Sequence, residues 1–287
     1  MNLASLVNLL TVAGLIGIML SMGLKVKFEE VAASIRKPRL VVLGVVANFV
    51  LVPAVTIALL YLFDTVPLVS VGFLILAVCP GAPVGPPFAA VARGDVPCAI
   101  GQMVVLAGLS AVLSPALLGA LLAQLLPASE LRVDYLAIVR TLLVAQILPL
   151  AIGLAIHHLA PRLTERIAKP VGLLANLVLL IVIVLILGRE YETLAMIKLR
   201  GWFGMLFLLA ASLGIGWLCG GPGPATRKTL AVTTGARNAA VGLVIVSSNF
   251  ADTPAVTAVI AYALVSILGT LGCAFVFAAV PEPTRVQ

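Results

Sequence analysis

The sequence predicts an all-helical protein that crosses a membrane about nine times. Of 287 residues, 62% are hydrophobic and only 10% are charged, and the mean hydropathy is +1.22. A soluble domain carries about 25% charged residues, so this chain cannot cover itself with polar groups and needs a bilayer as solvent. Apolar runs recur at close to the roughly 20 residues that a helix requires to cross the hydrocarbon core, and the charges cluster between them.

Taken in order, the runs place spans near 5–24, 40–63, 66–92, 96–126, 134–158, 170–188, 201–220, 229–250 and 254–279. The first run lacks the basic segment and small-residue cleavage pattern of a signal peptide, so it counts as a span. With the N-terminus outside, the inner loops carry Lys25, Lys27, Arg36, Lys37, Arg39, Arg93, Arg162, Arg166, Lys169, Arg227, Lys228 and Arg285. The outer side then holds Arg132, Arg140, Arg189, Lys198 and Arg200. This asymmetry predicts an outside N-terminus and a cytoplasmic C-terminus in a bacterial inner membrane. It also accounts for the net charge of +7 without nucleic acid. Cys79, Cys98, Cys219 and Cys273 lie scattered in apolar stretches with no CxxC pair, which indicates neither a zinc site nor a disulfide framework.

Two spans are interrupted. The third contains Cys79-Pro-Gly-Ala-Pro-Val-Gly-Pro-Pro-Phe88. Proline removes a backbone donor and clashes with the preceding turn, so no continuous helix runs through it. The eighth contains Thr233-Thr-Gly-Ala-Arg-Asn-Ala-Ala-Val-Gly242, with Arg237 nine residues past Lys228. At a rise of ~1.5 Å per residue this puts Arg237 ~13 Å inside the boundary, near mid-membrane. Each interrupted span is followed by a long span with few charges, and the two run in opposite directions. Such pairing is the mark of an inverted-repeat secondary transporter, whose discontinuous helices meet at the midplane.

These residues resemble the bile acid–sodium symporter family over nearly the whole chain. Met22-Gly-Leu24 with Arg36-Lys-Pro38 is similar to the family's first cytoplasmic turn, and Ala47-Asn-Phe-Val-Leu-Val-Pro53 to its next helix. Cys79-Pro-Gly81 followed by Ala92-Arg-Gly-Asp95 is similar to the crossover motif and its following turn, and Gly235-Ala-Arg-Asn238 to the second crossover. The ten-span members' first helix has no counterpart here. The resemblance implies a core domain made of 40–126 and 201–279, with broken helices at 66–92 and 229–250. It implies a panel made of 1–24 and 134–188, against which the core rocks, and a substrate in the cleft between them.

The chain departs from the family where sodium is held. The resemblance implies sodium ligands at positions that here are Gly85 and Pro86, Ala99 and Met103, and Thr233; only Thr233 offers a side-chain oxygen. A second site would keep Asn48 and backbone carbonyls, but the family's glutamine position is Arg237. Hard cations take oxygen ligands, so sodium is expected to be dispensable, and no other cofactor is implied.

Arg237 then carries the functional argument. A charged side chain at the bilayer centre costs about 2.5 kcal/mol or more, and arginine keeps its proton in proteins. Of the eleven acidic residues, none falls at mid-depth in this topology. Two readings stand: a structural pairing with C-terminal carbonyls of the broken third span, or a fixed charge that replaces sodium and helps hold an anion. In the second, Arg237 and Asn238 with Pro83, Val84, Gly85 and Pro87 bind a small organic anion. Half-helix N-termini after Pro87 and near Asn238 add donors, and Asn48, Thr233, Thr234 and Gly235 brace the site. The other expected partner is lipid, with the protein a monomer.

The chemistry of an intramembrane enzyme would need paired acids, a nucleophile with its base, or metal ligands within the spans; the spans offer none, so the chain is read as no enzyme. A uniporter or anion exchanger is the first expectation. Proton or sodium coupling, and an anion channel with a fixed arginine in its pore, are the alternatives.

Overall fold

The protein is described by a computed structural model, which covers residues 3–27, 29, 37–125 and 134–279. Arg36, Arg132 and Arg285, used above in the charge asymmetry, lie outside the described residues. Every regular element among those described is helical. Among the described residues, eight helices are long and apolar enough to cross a membrane, α9 and α10 below counting together as one of them. The ninth expected span is the broken stretch 67–91.

In chain order the helices are α1 (Leu3–Lys25), α2 (Pro38–Leu62), α3 (Pro67–Ala77), α4 (Gly85–Val91), α5 (Val96–Leu125) and α6 (Tyr135–Leu159). After them come α7 (Pro161–Ala195), α8 (Leu199–Cys219), α9 (Pro224–Gly235), α10 (Ala239–Asn249) and α11 (Pro254–Ala279). Helix α7 extends beyond the span expected at 170–188 at both ends. Its flanking charges at Arg162, Glu165, Arg166, Arg189, Glu190 and Glu192 belong to good helix formers, so the helix continues past the apolar stretch.

Helices α2 and α6 each contain one π turn, Ala47–Leu51 and Leu143–Ile147. Each closes with an i→i−5 bond from the residue just before a proline: Val52 N–H to Ala47 O and Leu148 N–H to Leu143 O. Pro53 and Pro149 cannot donate, and their rings crowd the carbonyl four residues back. A widened turn makes the room.

Small residues set the helix contacts. Gly23 of α1 faces Gly153 of α6 so closely that a Cβ on Gly23 would lie 3.0 Å from the Gly153 Cα. A Cβ on Gly17 would sit 2.8 Å from Ala175 Cβ of α7, and one on Gly172 2.6 Å from Ser21 Oγ. Helix α1 is thereby packed between α6 and α7, the close backbone approach that drives association in a bilayer. In the remaining helices, Gly216 of α8 lies against Leu230 and Ala231 of α9, and Gly72 of α3 against Ala255 and Ala258 of α11. The α1–α6–α7 group meets the others where α1 touches α10, α6 touches α5 and α7 touches α11.

The α9–α10 stretch is the most enclosed: 94% of its most apolar window is buried, against 22–44% for the other seven. Irregular backbone at membrane depth requires such shelter.

Candidate functional site

Both interruptions are real, and both are shorter than the motifs that announce them. The first covers 78–84 and the second only 236–238. Thr233, Thr234 and Gly235 still belong to α9. Helix α4 begins at Gly85 rather than after Pro87, since prolines in a first turn cost no hydrogen bond that would otherwise form. Among the sequence-derived candidates, Gly85 is buried, Pro83 and Val84 are half-buried, and Pro87 is exposed.

The two breaks are joined to each other. Asn238 N–H donates to Cys79 O at 2.9 Å, and Asn238 Nδ2 reaches Gly81 O at 3.4 Å. The Asn238 side-chain oxygen meanwhile accepts from Val241 N–H at 3.3 Å, capping α10, as asparagine commonly does. Gly81 has φ +77, a left-handed conformation open to glycine at little cost. A Cβ there would also lie 2.5 Å from Ala107 N of α5.

Arg237 is 1% exposed and among the largest fully buried side chains. Its Nη1 donates to Ala77 O, the last residue of α3, at 3.3 Å. Its Nη2 donates to Thr234 O, the penultimate residue of α9. One guanidinium thus binds the carbonyl ends of both half-helices. Each helix C-terminus behaves as about −0.5 of a charge, so the two together offset about one positive charge. Arg237 Nε is buried without a hydrogen-bond partner. Tyr262 and Cys79 lie within electrostatic reach of the guanidinium.

Asn48, on the π turn of α2, donates from Nδ2 to Gly44 O at 2.9 Å and to Thr234 Oγ1 at 3.3 Å, while its Oδ1 is buried and unpartnered. It and Thr234 come together as expected of bracing residues. Thr233 does not join them: its hydroxyl donates to Thr229 O at 2.9 Å, and its methyl faces Gly85, where a Cβ would sit 3.2 Å away. Gly235 packs on Leu213 and Thr270.

A hard cation at the positions that the resemblance named fits poorly. Gly85, Ala99 and Met103 present no side-chain oxygen, and Arg237 donates to the carbonyls of Ala77 and Thr234.

Four polar residues near the breaks carry no periodic signal in the sequence. Ser114 donates to Val78 O at the first break. Gln102 is fully buried and donates to Leu40 O at 2.6 Å. Gln146, on the π turn of α6, donates to Ala107 O and, at 2.9 Å, to Ser110 Oγ. Tyr262 is fully buried, its hydroxyl beside Ser212 of α8 and its ring 5.6 Å from that of Phe73. The signal that could have found them is a lone polar side chain in an otherwise apolar span.

The family model described as the sodium bile acid symporter family matches residues 12–197. The chain belongs to that family. Among its relatives, the rabbit (Oryctolagus cuniculus) ileal sodium/bile acid cotransporter is 28% identical over 237 residues, which cover 81% of this chain and 67% of the relative. The rice (Oryza sativa subsp. japonica) probable sodium/metabolite cotransporter BASS2, chloroplastic, is 26% identical over 247 residues, 83% of this chain but only 57% of its own length. YocS of Bacillus subtilis, described as an uncharacterized sodium-dependent transporter, is 21% identical over 250 residues, covering 85% of this chain and 75% of its own. This is a family of membrane transporters and not of enzymes, so a bilayer and a small-molecule substrate follow for the present member.

Proposed function

We propose that this symporter-family member carries a small organic anion by alternating access without sodium, Arg237 standing where relatives place a mobile cation. One observation supports the reading above the others: a fully buried guanidinium bonded to the carbonyl ends of both half-helices. A cation there offsets the converging negative dipole ends, and a tethered one does so without being transported.

The anion would lie beside Asn238 and the first break. The 3.4 Å contact from Asn238 Nδ2 to Gly81 O is at the weak limit of hydrogen-bond geometry, so this donor is available to a carboxylate. Arg237 Nε is a second donor with no partner. Pro83, Val84, Gly85 and Pro87 shape the wall on the α4 side, and Asn48 with Thr234 holds the turn that presents Arg237. The α1–α6–α7 group is the panel and the remaining helices the core that moves against it. The N-terminus lies outside and the C-terminus in the cytoplasm of a bacterial inner membrane, and the unit is a monomer.

A second reading, sodium-coupled symport, is favoured by the buried, unpartnered Oδ1 of Asn48 and by the sodium in the relatives' names. Binding of a panel of small carboxylates to the purified protein, in sodium and in choline salts, separates the two. Equal affinity in both supports the proposal, and strict sodium dependence overturns it.

A further inference from the structure

A polar seam between the α1–α6–α7 group and the other helices lies at one face, where α7 ends and α11 begins. Arg189 of α7 forms an ion pair with Asp252 in the α10–α11 turn. The adjacent Glu190 accepts a hydrogen bond at 2.8 Å from Thr257 of α11. Ser248 Oγ of α10 donates to Asn8 Oδ1 of α1 at 3.3 Å. Asp252 has φ 62, a left-handed conformation uncommon outside glycine though tolerated by aspartate, and the turn so formed brings its carboxylate to Arg189. At the opposite face two polar contacts stay within one group each. Lys37–Asp95 lies within the larger group, and His157–Leu24 joins α6 to α1 within the smaller one.

Two cavities are lined by residues of this seam or next to it. One of about 40 Å³ is lined by Arg189, Glu190, Asp252 and Ser247 among others. The other, of about 190 Å³, lies between α6 and α10 and is lined by Asp134, Thr141, Ser248 and Asn249 together with apolar residues. The first cavity lies at the ion pair itself, and the second at Ser248 of the neighbouring Ser248–Asn8 contact. Its groups are partly exposed, with the Arg189 and Asp252 side chains 43% and 62% accessible, so water can replace either partner when they separate. Such a pair adds little to stability and suits a joint that must open.

We propose that Arg189–Asp252, with Glu190–Thr257 beside it, is a latch that closes this face of the cleft and is broken each time the two helix groups part there. The inference rests on the panel-and-core reading given above. Neither Arg189 nor Asp252 belongs to the proposed anion site, so the latch can be altered without touching it.

The test uses the full chain in lipid nanodiscs, where both faces meet solvent and no substrate is needed. A cysteine placed by Ser247→Cys, on the cavity side of the latch, is labelled with a polar maleimide, and the parent without it measures the background from the four native cysteines. Arg189→Glu and Asp252→Arg alone are each expected to raise the labelling rate about fivefold or more, because the open population increases. The double variant Arg189→Glu/Asp252→Arg restores an ion pair of opposite polarity and is expected to return the rate to within about twofold of the parent. Where a charge reversal fails to give a monodisperse protein, Arg189→Gln and Asp252→Asn provide the single-variant comparison, and unchanged rates in both overturn the latch. Unchanged rates in the single variants overturn the latch, as does a double variant as reactive as either single one. Loss of anion binding by the parent would overturn the proposed function and leave this result standing.

Discussion

The backbone N–H of Asn238 donates to the carbonyl of Cys79 at 2.9 Å, so the two helix breaks are tied backbone to backbone at their crossing. Around this bond several polar groups freed by the interruptions find partners. The carbonyl of Ala77 takes the guanidinium of Arg237, that of Val78 takes Ser114, and that of Gly81 takes Asn238. Broken helices in hydrocarbon are costly unless the freed groups are satisfied within the protein, and here each break supplies partners for the other.

Removing the charge of Arg237 tests its part in this arrangement. A hydrogen bond to a charged group contributes about 1.5–3 kcal/mol, so Arg237→Gln is expected to weaken carboxylate binding by ~10- to 100-fold. Isothermal titration on monodisperse protein measures it. Unchanged affinity would assign Arg237 to the joining of the two helix ends alone.

Replacing Asn238 tests the crossing from the other side. Asn238→Ala removes the cap of α10 and the contact with Gly81 O but keeps the backbone bond to Cys79 O. The loss of the cap predicts a destabilisation of ~1 kcal/mol, seen as a small drop in thermal midpoint, together with loss of anion binding. Binding preserved at lowered stability would leave Asn238 a cap only.

How much of this was legible follows from what each feature does to the local sequence. The breaks announce themselves because only proline, glycine and polar residues interrupt an apolar helix, and Arg237 stands out because charge at mid-membrane is rare. The extent of each break was not legible: prolines 86 and 87 read as interruption, yet they are accommodated in the first turn of α4. The π turns have no composition of their own and become intelligible only once Pro53 and Pro149 are seen to follow the widened turn. Gln146 and Tyr262 are single polar residues whose partners depend on which helix lies opposite. The fit of Gly23 on Gly153 likewise requires the packing, since glycine in a membrane helix is common.

Gln146 gives a prediction whose sign depends on that surrounding. Its amide donates to Ala107 O and Ser110 Oγ, but Ser110 also donates to Ala107 O at 2.9 Å, and Gln146 Oε1 is buried and unpartnered. Gln146→Leu removes the unpartnered acceptor along with two bonds and is expected to change stability by less than ~1 kcal/mol. Gln146→Glu buries a charge and is expected to cost ~3 kcal/mol or more unless it binds a proton. Guanidinium or thermal unfolding in detergent, compared between the two variants, decides the matter; equal losses would contradict it.

Gly81 is the most constrained backbone position at the site. Gly81→Ala places a Cβ 2.5 Å from Ala107 N and imposes a left-handed φ that costs an L-residue about 1–2 kcal/mol. The expected outcome is a destabilised protein with the crossing displaced, reported by a lower thermal midpoint and reduced anion binding. An alanine variant as stable as the parent would mean that the break tolerates a shift of α5.

The account stands or falls on whether Arg237 replaces the coupling cation. The direct measurement is the affinity of the same small carboxylate in matched sodium and choline salts, for the parent and for Arg237→Gln. The account predicts affinities equal within about twofold for the parent, and binding ~10- to 100-fold weaker in the variant. Carboxylate binding by the parent that appears only with sodium, gaining about tenfold or more in affinity from it, would contradict the account.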